Sequence, residues 1–312
     1  MKKRRAERKR HGMGRFTGNG RWIRGGILLL AAVAVALSTV SAVTQRHAVK
    51  RMQQENQALS RQVTALQQAE QQRQQALEAA APEYQKLYPD FYAPRKLSLT
   101  QKKENTVYLT FDDGPSPVTD GILDTLQEKG VKATFYVVPK NTPESLERLK
   151  RMAAEGHTLG MHSASHDYRK IYGSVEAFLA DLYEVFRLLR DQVGYTPTCF
   201  RFPGGSINGY NTATYEAIEA EMLRRGFVPC DWNVSSGDAA ARSVPADRLQ
   251  NTVVNQCGDG ARCVVLMHDA STKATTAQAL PGMIDRLRAR GFAFAAMEPD
   301  DVPVLFGRPR IS

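Results

Sequence analysis

No Cys-x-x-Cys pair occurs in the 312 residues, nor any glycine-rich phosphate loop or internal repeat. Without a Cys-x-x-Cys pair, a cysteine zinc site is excluded. Without a glycine loop between strand and helix, the usual phosphate cradle of a nucleotide-binding fold is missing. Without a repeat, solenoids and propellers are out. Charge is missing too, but only locally: Gly25 to Gln45 carries none.

The body of the chain also lacks a basic excess. The formal charge is +10, yet Met1 to Arg24 holds ten Lys or Arg against one acid, Glu7, leaving 32 basic and 31 acidic residues beyond it. Phosphate backbones are bound by basic residues clustered on a folded domain, so nucleic acid is excluded as a partner. The basic tail, 1–24, instead precedes "GGILLLAAVAVALSTVSAV". A helix of about 20 apolar residues spans roughly 30 Å, the thickness of a bilayer core. Only Arg46, Lys50 and Arg51 follow closely, so the N-terminus is expected in the cytoplasm and the remainder outside. We expect an uncleaved single-pass membrane anchor over 25–45. The alternative is a signal cleaved after Ala42, giving a secreted protein.

Residues 46–81 are rich in glutamine. Val49, Met52, Asn56, Leu59, Val63 and Leu66 step by three and four, a heptad pattern that Glu70 and Arg73 then spoil. A helical stalk is expected, either solvated or paired as a parallel homodimer with Asn56 in its seam. Pro82 ends it, and 82–105 reads as a linker.

From Thr106 the pattern changes to short β-rich runs alternating with amphipathic stretches. The expected strands are "TVYLTF", "KATFYVV", "HTLGMH", "TCFRF", "FVPCDW", "CVVLMH" and "FAFAAM". Three helices between them end on glycine; the first is expected to start behind Thr119 and the third behind Ser174. Such alternation predicts an α/β domain over 106–312, with a parallel sheet of about seven strands in a barrel or doubly wound arrangement. In either, function gathers at the carboxyl ends of strands.

Those ends carry Asp112 and Asp113, then His162 and His166, then Arg201, Pro203, Gly204 and Gly205, then Asp231 and Trp232, and finally His268. Taken singly, each has an ordinary structural reading. His11, His47 and His157 keep that reading, and Asp167 and Asp269 read as solvated neighbours of histidines. Together the set implies a site. Two imidazoles and a carboxylate can hold a divalent cation with positions left for water and substrate. A cation also relieves the repulsion between adjacent aspartates.

"TFDDGPS", "HSASH", "RFPGG", "DWN" and "LMH" resemble, in order, the five motifs of the polysaccharide deacetylase family, carbohydrate esterase family 4. The resemblance implies a distorted (β/α) barrel, preceded here by the transmembrane helix and stalk. It further implies metal-dependent hydrolysis of the N-acetyl group of amino sugars in an extracellular polysaccharide. The "RFPGGS" and "DWNVSSGD" wording resembles exported bacterial members acting on peptidoglycan. Position by position, Asp113, His162 and His166 match the metal ligands, Asp112 the general base, and Arg201 the residue that orients it. Gly204 matches the oxyanion donor through its N–H. His268 matches the general acid, with Asp231 as the residue that tunes it. Trp232 and Leu266, beside Pro203, match the wall of the acetyl pocket. The metal is one divalent transition ion, zinc foremost, with cobalt, nickel or manganese as alternatives. Many family members carry a larger residue where Gly204 stands, which alters the groove wall.

Two other functions fit less well: hydrolysis of a non-sugar amide, or a wall-binding scaffold with a retired site. Retention of every proton carrier and ligand argues against retirement. Of the four cysteines, Cys257 and Cys263 flank "GDGAR", a spacer that a disulfide could close. Cys199 and Cys230 are expected to be buried, unpaired and pointing apart, provided Arg201 and Asp231 face one site.

Overall fold

The computed structural model describes residues 20–94 and 103–306. The 1–19 part of the basic tail, the 95–102 part of the expected linker and the last six residues lie outside that range. The chain divides into two compact units, meeting at Ala81 and Pro82.

The first unit is one helix, α1 (Gly20–Ala80), of 61 residues. It runs without a break through the residues expected as anchor and stalk and ends just before Pro82, as proline dictates. Its apolar part is long enough to cross a membrane by length and composition. Ile27 through Val43 are exposed, and so are the seam residues Val49, Met52, Leu59, Val63 and Leu66.

The second unit is an α/β domain. Its strands are β1 (Thr106–Asp112), β2 (Thr134–Val137), β3 (Thr158–Met161), β4 (Cys199–Phe200), β5 (Val228–Pro229), β6 (Val234–Ser235), β7 (Cys263–His268) and β8 (Ala293–Phe294). The sheet runs β5-β4-β3-β2-β1-β7-β6, all parallel, and β8 pairs with the first two residues of β1. It is a curled, open half-barrel of seven strands along its path. The strand that sequence patterning did not show is β6. At two residues it is too short to carry a period.

The principal helices are α2 (Pro117–Lys129), α3 (Pro143–Ala154), α4 (Tyr168–Ile171), α5 (Val175–Leu188), α6 (Tyr215–Arg224), α7 (Ala246–Gln256) and α8 (Ala274–Ala289). Ser174 caps α5 as expected, accepting from the Ala177 N–H. The start of α2 differs from expectation. Ser116 is its cap and accepts from the Val118 N–H, while Thr119 reaches back to the Ser116 N–H from inside the first turn.

Every residue of β1 is buried, and the two-residue period of a strand sorts them into two cores. Val107, Leu109 and Phe111 belong to the large core between sheet and helices. Tyr108 lies inside the curl with Tyr136, Cys199, Val228, Cys230, Val264 and Met297. Parity therefore places Asp112 on the inner face, at the mouth of the half-barrel.

The expected linker is not a spacer over its first part. Phe91 is fully buried and packs on Phe186 and Phe227 at 5.0 and 4.9 Å. The buried Arg225 guanidinium, paired with Glu221, donates to the carbonyls of Tyr84, Leu87, Tyr88 and Phe91. Phe91 anchors the stretch in the core, with Tyr84 and Tyr88 half-buried against it and Tyr92 exposed.

Candidate active site

At the end of β1 the two aspartates part. Asp112 accepts a hydrogen bond at Oδ1 from Arg201 Nη1 at 2.8 Å. Asp113 turns away at φ 74°, a left-handed conformation that costs a non-glycine residue of order 1–3 kcal/mol. His166 is left-handed too, at φ 53°. Both residues border the same cluster. Asp113 Oδ1, His162 and His166 offer ligand atoms that all lie within 4.8 Å of one another.

Each donor is prepared for a cation. His162 follows β3, and its Nδ1–H donates to the Arg201 carbonyl at 2.8 Å, which leaves the Nε2 lone pair free. Burial lowers the His162 pKa and keeps the ring neutral. Asp113 Oδ1 is buried without a well-formed hydrogen bond, although Nε2 of His166 and of His162 lie 3.2 and 3.6 Å away. Burial alone would raise the Asp113 pKa; the two imidazoles outweigh it and hold the carboxyl well below the usual range. A buried carboxylate oxygen facing two imidazole nitrogens is the donor set of a divalent transition metal, so these residues fit the ion.

The HSASH turn is pinned by a residue sequence reasoning missed. Asp181 of α5 accepts from Ser163 Oγ at 2.5 Å and from the N–H groups of Ala164 and Ser165, both at 2.9 Å. Ser163 Oγ in turn accepts from the His166 N–H. The available signal was an acid on the apolar face of α5, among Phe178, Leu182 and Val185.

Arg201 is fully buried. Besides Asp112, it donates to Thr110 Oγ1 and to the carbonyls of Cys230 and Asp231, and its guanidinium lies 4.1 Å from the Tyr136 ring centre. These five contacts fix the guanidinium, which holds Asp112 Oδ1. His268 stands in register with Asp112, on β7 beside β1.

The residue holding His268 is Asp238, not Asp231. Asp238 Oδ1 meets His268 Nδ1 at 2.8 Å, and Oδ2 accepts the His268 N–H at 2.7 Å and Thr276 Oγ1 at 2.9 Å. Burial pulls the His268 pKa down, but the Asp238 hydrogen bond and the nearby carboxylates outweigh it, pushing it up to about 9. Asp231 accepts instead from Ser206 N and Oγ and from the Phe306 N–H. The chain passes through β6 after Asp231, and that excursion brings Asp238 back beside β7.

The same side-chain direction corrects the cysteine expectation. Cys199 and Cys230 are buried free thiols, but both join the inner cluster around Tyr136 rather than pointing apart. The Asp231 carboxylate is held by Ser206 and Phe306, and Cys230 takes the inward face. Cys257 and Cys263 are also buried free thiols. Asp269 is not solvated: it is fully buried, accepts from Thr119 Oγ1 at 2.6 Å, and burial pushes its carboxyl up to about 7. Asp167 is exposed and caps α4. His157 is a core residue accepting the Ala133 N–H.

Among the remaining expected residues, Gly204 is exposed with φ 79°, and its N–H has no hydrogen-bond partner among the described residues. Pro203 is buried, and its carbonyl accepts from Tyr172 Oη. Leu266 lies on β7 two residues before His268, and Trp232 lies 5.6 Å from the Arg201 guanidinium.

The polysaccharide deacetylase family profile matches residues 100–223. A peptidoglycan-N-acetylglucosamine deacetylase of Bacillus cereus is 33% identical over 211 residues, covering 66% of this chain and 74% of that protein. The catalytic domain of a peptidoglycan N-acetylglucosamine deacetylase from Eubacterium rectale superposes with a TM-score of 0.63 at 34% identity, over 68% of this chain and 97% of that one. The polysaccharide deacetylase Bc1974 from Bacillus cereus gives 0.58 at 32% identity, over 64% and 96%.

Proposed function

The chain belongs to the polysaccharide deacetylase family, and from that premise we propose that it removes N-acetyl groups from amino sugars of peptidoglycan, with its catalytic domain held outside the cell membrane by α1. The observation that carries the reading is the pairing of Asp112 with Arg201 and of His268 with Asp238, in register on neighbouring strands beside the three-donor cluster.

Asp113, His162 and His166 would hold the ion. When bound, it polarises an acyl oxygen and acidifies water. Asp112, fixed by Arg201 and accepting only, takes the proton of the attacking water. The open Gly204 N–H donates to the acyl oxygen as negative charge grows there. His268, charged by virtue of Asp238, gives its proton to the sugar nitrogen as the C–N bond breaks. Each proton carrier is worth roughly 10²–10⁴-fold in rate. Trp232 and Leu266 supply an apolar wall for the acetyl methyl group. Zinc suits two imidazoles and one carboxylate best.

The peptidoglycan assignment is supported by the relatives whose names carry that substrate, and the outward location by the charge asymmetry around residues 25–45. The exposed heptad residues of α1 support a parallel dimer through the stalk. The test is release of acetate and free amine from peptidoglycan by the full chain in detergent, with and without a chelator. Chelator-insensitive release, or none from peptidoglycan or N-acetylglucosamine oligomers after zinc loading, defeats the reading.

A further inference from the structure

The chain leaves β4 through a tight turn, and the Gly204 N–H belongs to that turn. The Gly205 N–H donates to the Phe202 carbonyl at 2.9 Å, which closes residues 202–205 around Pro203 and Gly204. Proline sets φ of the first central residue near about −65°, and the second, Gly204, has φ 79°. A negative φ followed by a positive one is a type II turn, and its second central position favours glycine. A side chain there would also meet the Tyr168 ring at 2.8 Å.

Turns of type I and type II differ by a rotation of the central peptide through roughly 180°. Here that peptide is the Pro203 carbonyl and the Gly204 N–H. The unit is planar and trans, so the two groups point in opposite directions. Whatever grips the carbonyl therefore aims the N–H. Two side chains grip it. Tyr172, just after α4, donates from Oη at 2.7 Å, and Asn208 donates from Nδ2 at 3.1 Å. Each is itself fixed. The Tyr172 ring is buried and stacks on Phe178 at 5.9 Å, and burial pushes its phenol well above the usual range, so the hydroxyl keeps its proton. Asn208 Oδ1 accepts the Tyr210 N–H at 2.8 Å, which turns Nδ2 toward the glycine pair, where it also donates to the Gly205 carbonyl at 3.1 Å. The Asn208 N–H is held in turn by Oδ1 of the fully buried Asn211.

The grip matters because glycine adopts either turn. Gly204 has no side chain to resist the rotation, and its exposed backbone has no neighbour packed on it to do so. Both turns close the same bond between residues 202 and 205, so that bond does not choose between them. The two side-chain donors do. An oxyanion donor lowers the barrier only if it already faces the place where charge will grow. Resting on the deacetylase reading above, we propose that Tyr172 and Asn208 are positioning residues, which lock the Pro203–Gly204 peptide in the orientation that aims the Gly204 N–H at the acyl oxygen. They act through the backbone and touch no reacting atom.

The test uses the zinc-loaded full chain in detergent as wild type, Tyr172→Phe, Asn208→Asp and the double variant. Both changes remove donors and keep shape: phenylalanine keeps the stacked ring, and aspartate keeps the acceptor for the Tyr210 N–H. On N-acetylglucosamine hexamers each single change should lower kcat roughly tenfold, the worth of one hydrogen bond. The double variant should lose roughly 10²–10³-fold, the worth of the oxyanion donor itself, with KM within about twofold of wild type. On N-trifluoroacetylglucosamine hexamers the developing oxyanion is less basic and leans less on a donor, so the loss should shrink severalfold. Residues that only stabilise the fold would lower turnover of both substrates equally. An unchanged kcat in the double variant, or an equal loss on both substrates, overturns the assignment. A second arm uses 4-nitrophenyl acetate, whose hydrolysis forms the same oxyanion without a sugar. Ester turnover that falls in the double variant, when the wild type leaves the glycans untouched, supports the assignment and fells the deacetylase reading alone. Ester turnover indifferent to both substitutions, or a wild type inert on glycan and ester alike, overturns the assignment.

Discussion

Asp238 grips His268 with both carboxylate oxygens, one on the ring Nδ1 at 2.8 Å and one on the backbone N–H at 2.7 Å. The grip fixes the ring and favours its charged form. A general acid acts only while protonated, so activity should persist below the His268 pKa and fall as pH rises through it. The carboxylates of Asp112 and Asp113 contribute to the value of about 9. A bound cation offsets them, so the alkaline limb of kcat/KM should lie at or below that pH. Asp238→Asn removes the nearest negative charge and should move the limb roughly 1–3 pH units lower. A limb that stays in place would show that His268 is not the group titrating there.

Asp112→Asn should keep its metal and lose activity. Asp112 Oδ1 is committed to Arg201, and the metal donors are Asp113, His162 and His166. An amide cannot take the proton, so turnover should drop roughly 10²–10⁴-fold. Metal analysis and amine release on the same sample check this. An active variant, or one that has lost its ion, would mean the two aspartates have exchanged roles.

His166→Ala should lose the ion together with activity, because two donors do not hold a divalent metal against water. Full zinc content in that variant would remove His166 from the ligand set.

Asp181→Ala should act at a distance. Its carboxylate satisfies three donors of the HSASH turn. Without it, His166 loses the frame that holds its left-handed backbone, and metal affinity should fall roughly 10–100-fold. Zinc titration against a competing chelator reads this directly, and added zinc should restore turnover. Unchanged affinity would make Asp181 a purely structural residue.

How much of this was legible in sequence follows from how local each feature is. Asp112 with Asp113, and His162 with His166, announce themselves because adjacent or turn-spaced polar groups stand at the end of apolar runs. The parallel sheet was legible because β1, β2, β3 and β7 are long enough to show their pattern, whereas the choice between a barrel and a doubly wound sheet was not. Asp238 was not, since its partner His268 is 30 residues away and nothing periodic surrounds "SSGD". The role the resemblance implied for Asp231 could not be tested in sequence, because a strand of two residues, β5, fixes no side-chain direction beyond its own end. Docking of the 82–94 stretch through Phe91 depends on Arg225, more than 130 residues later, which no local pattern reports.

That docked stretch sets where the domain can be cut. A fragment starting at Pro82 keeps Phe91 in its core and keeps the carbonyls that satisfy Arg225. One starting at Pro94 loses both. Removing a buried phenylalanine side chain alone costs about 3–5 kcal/mol, and the charged Arg225 is left facing the vacated space with only Glu221. Domains hold about 5–15 kcal/mol in reserve, so the shorter fragment should be marginal or unfolded. Thermal unfolding of the two fragments should show the Pro82 piece melting cooperatively, with the Pro94 piece lower by roughly 10 °C or more. Equal melting temperatures would return 82–94 to the status of a spacer, and would leave Arg225 satisfied by water where the structure places four carbonyl oxygens.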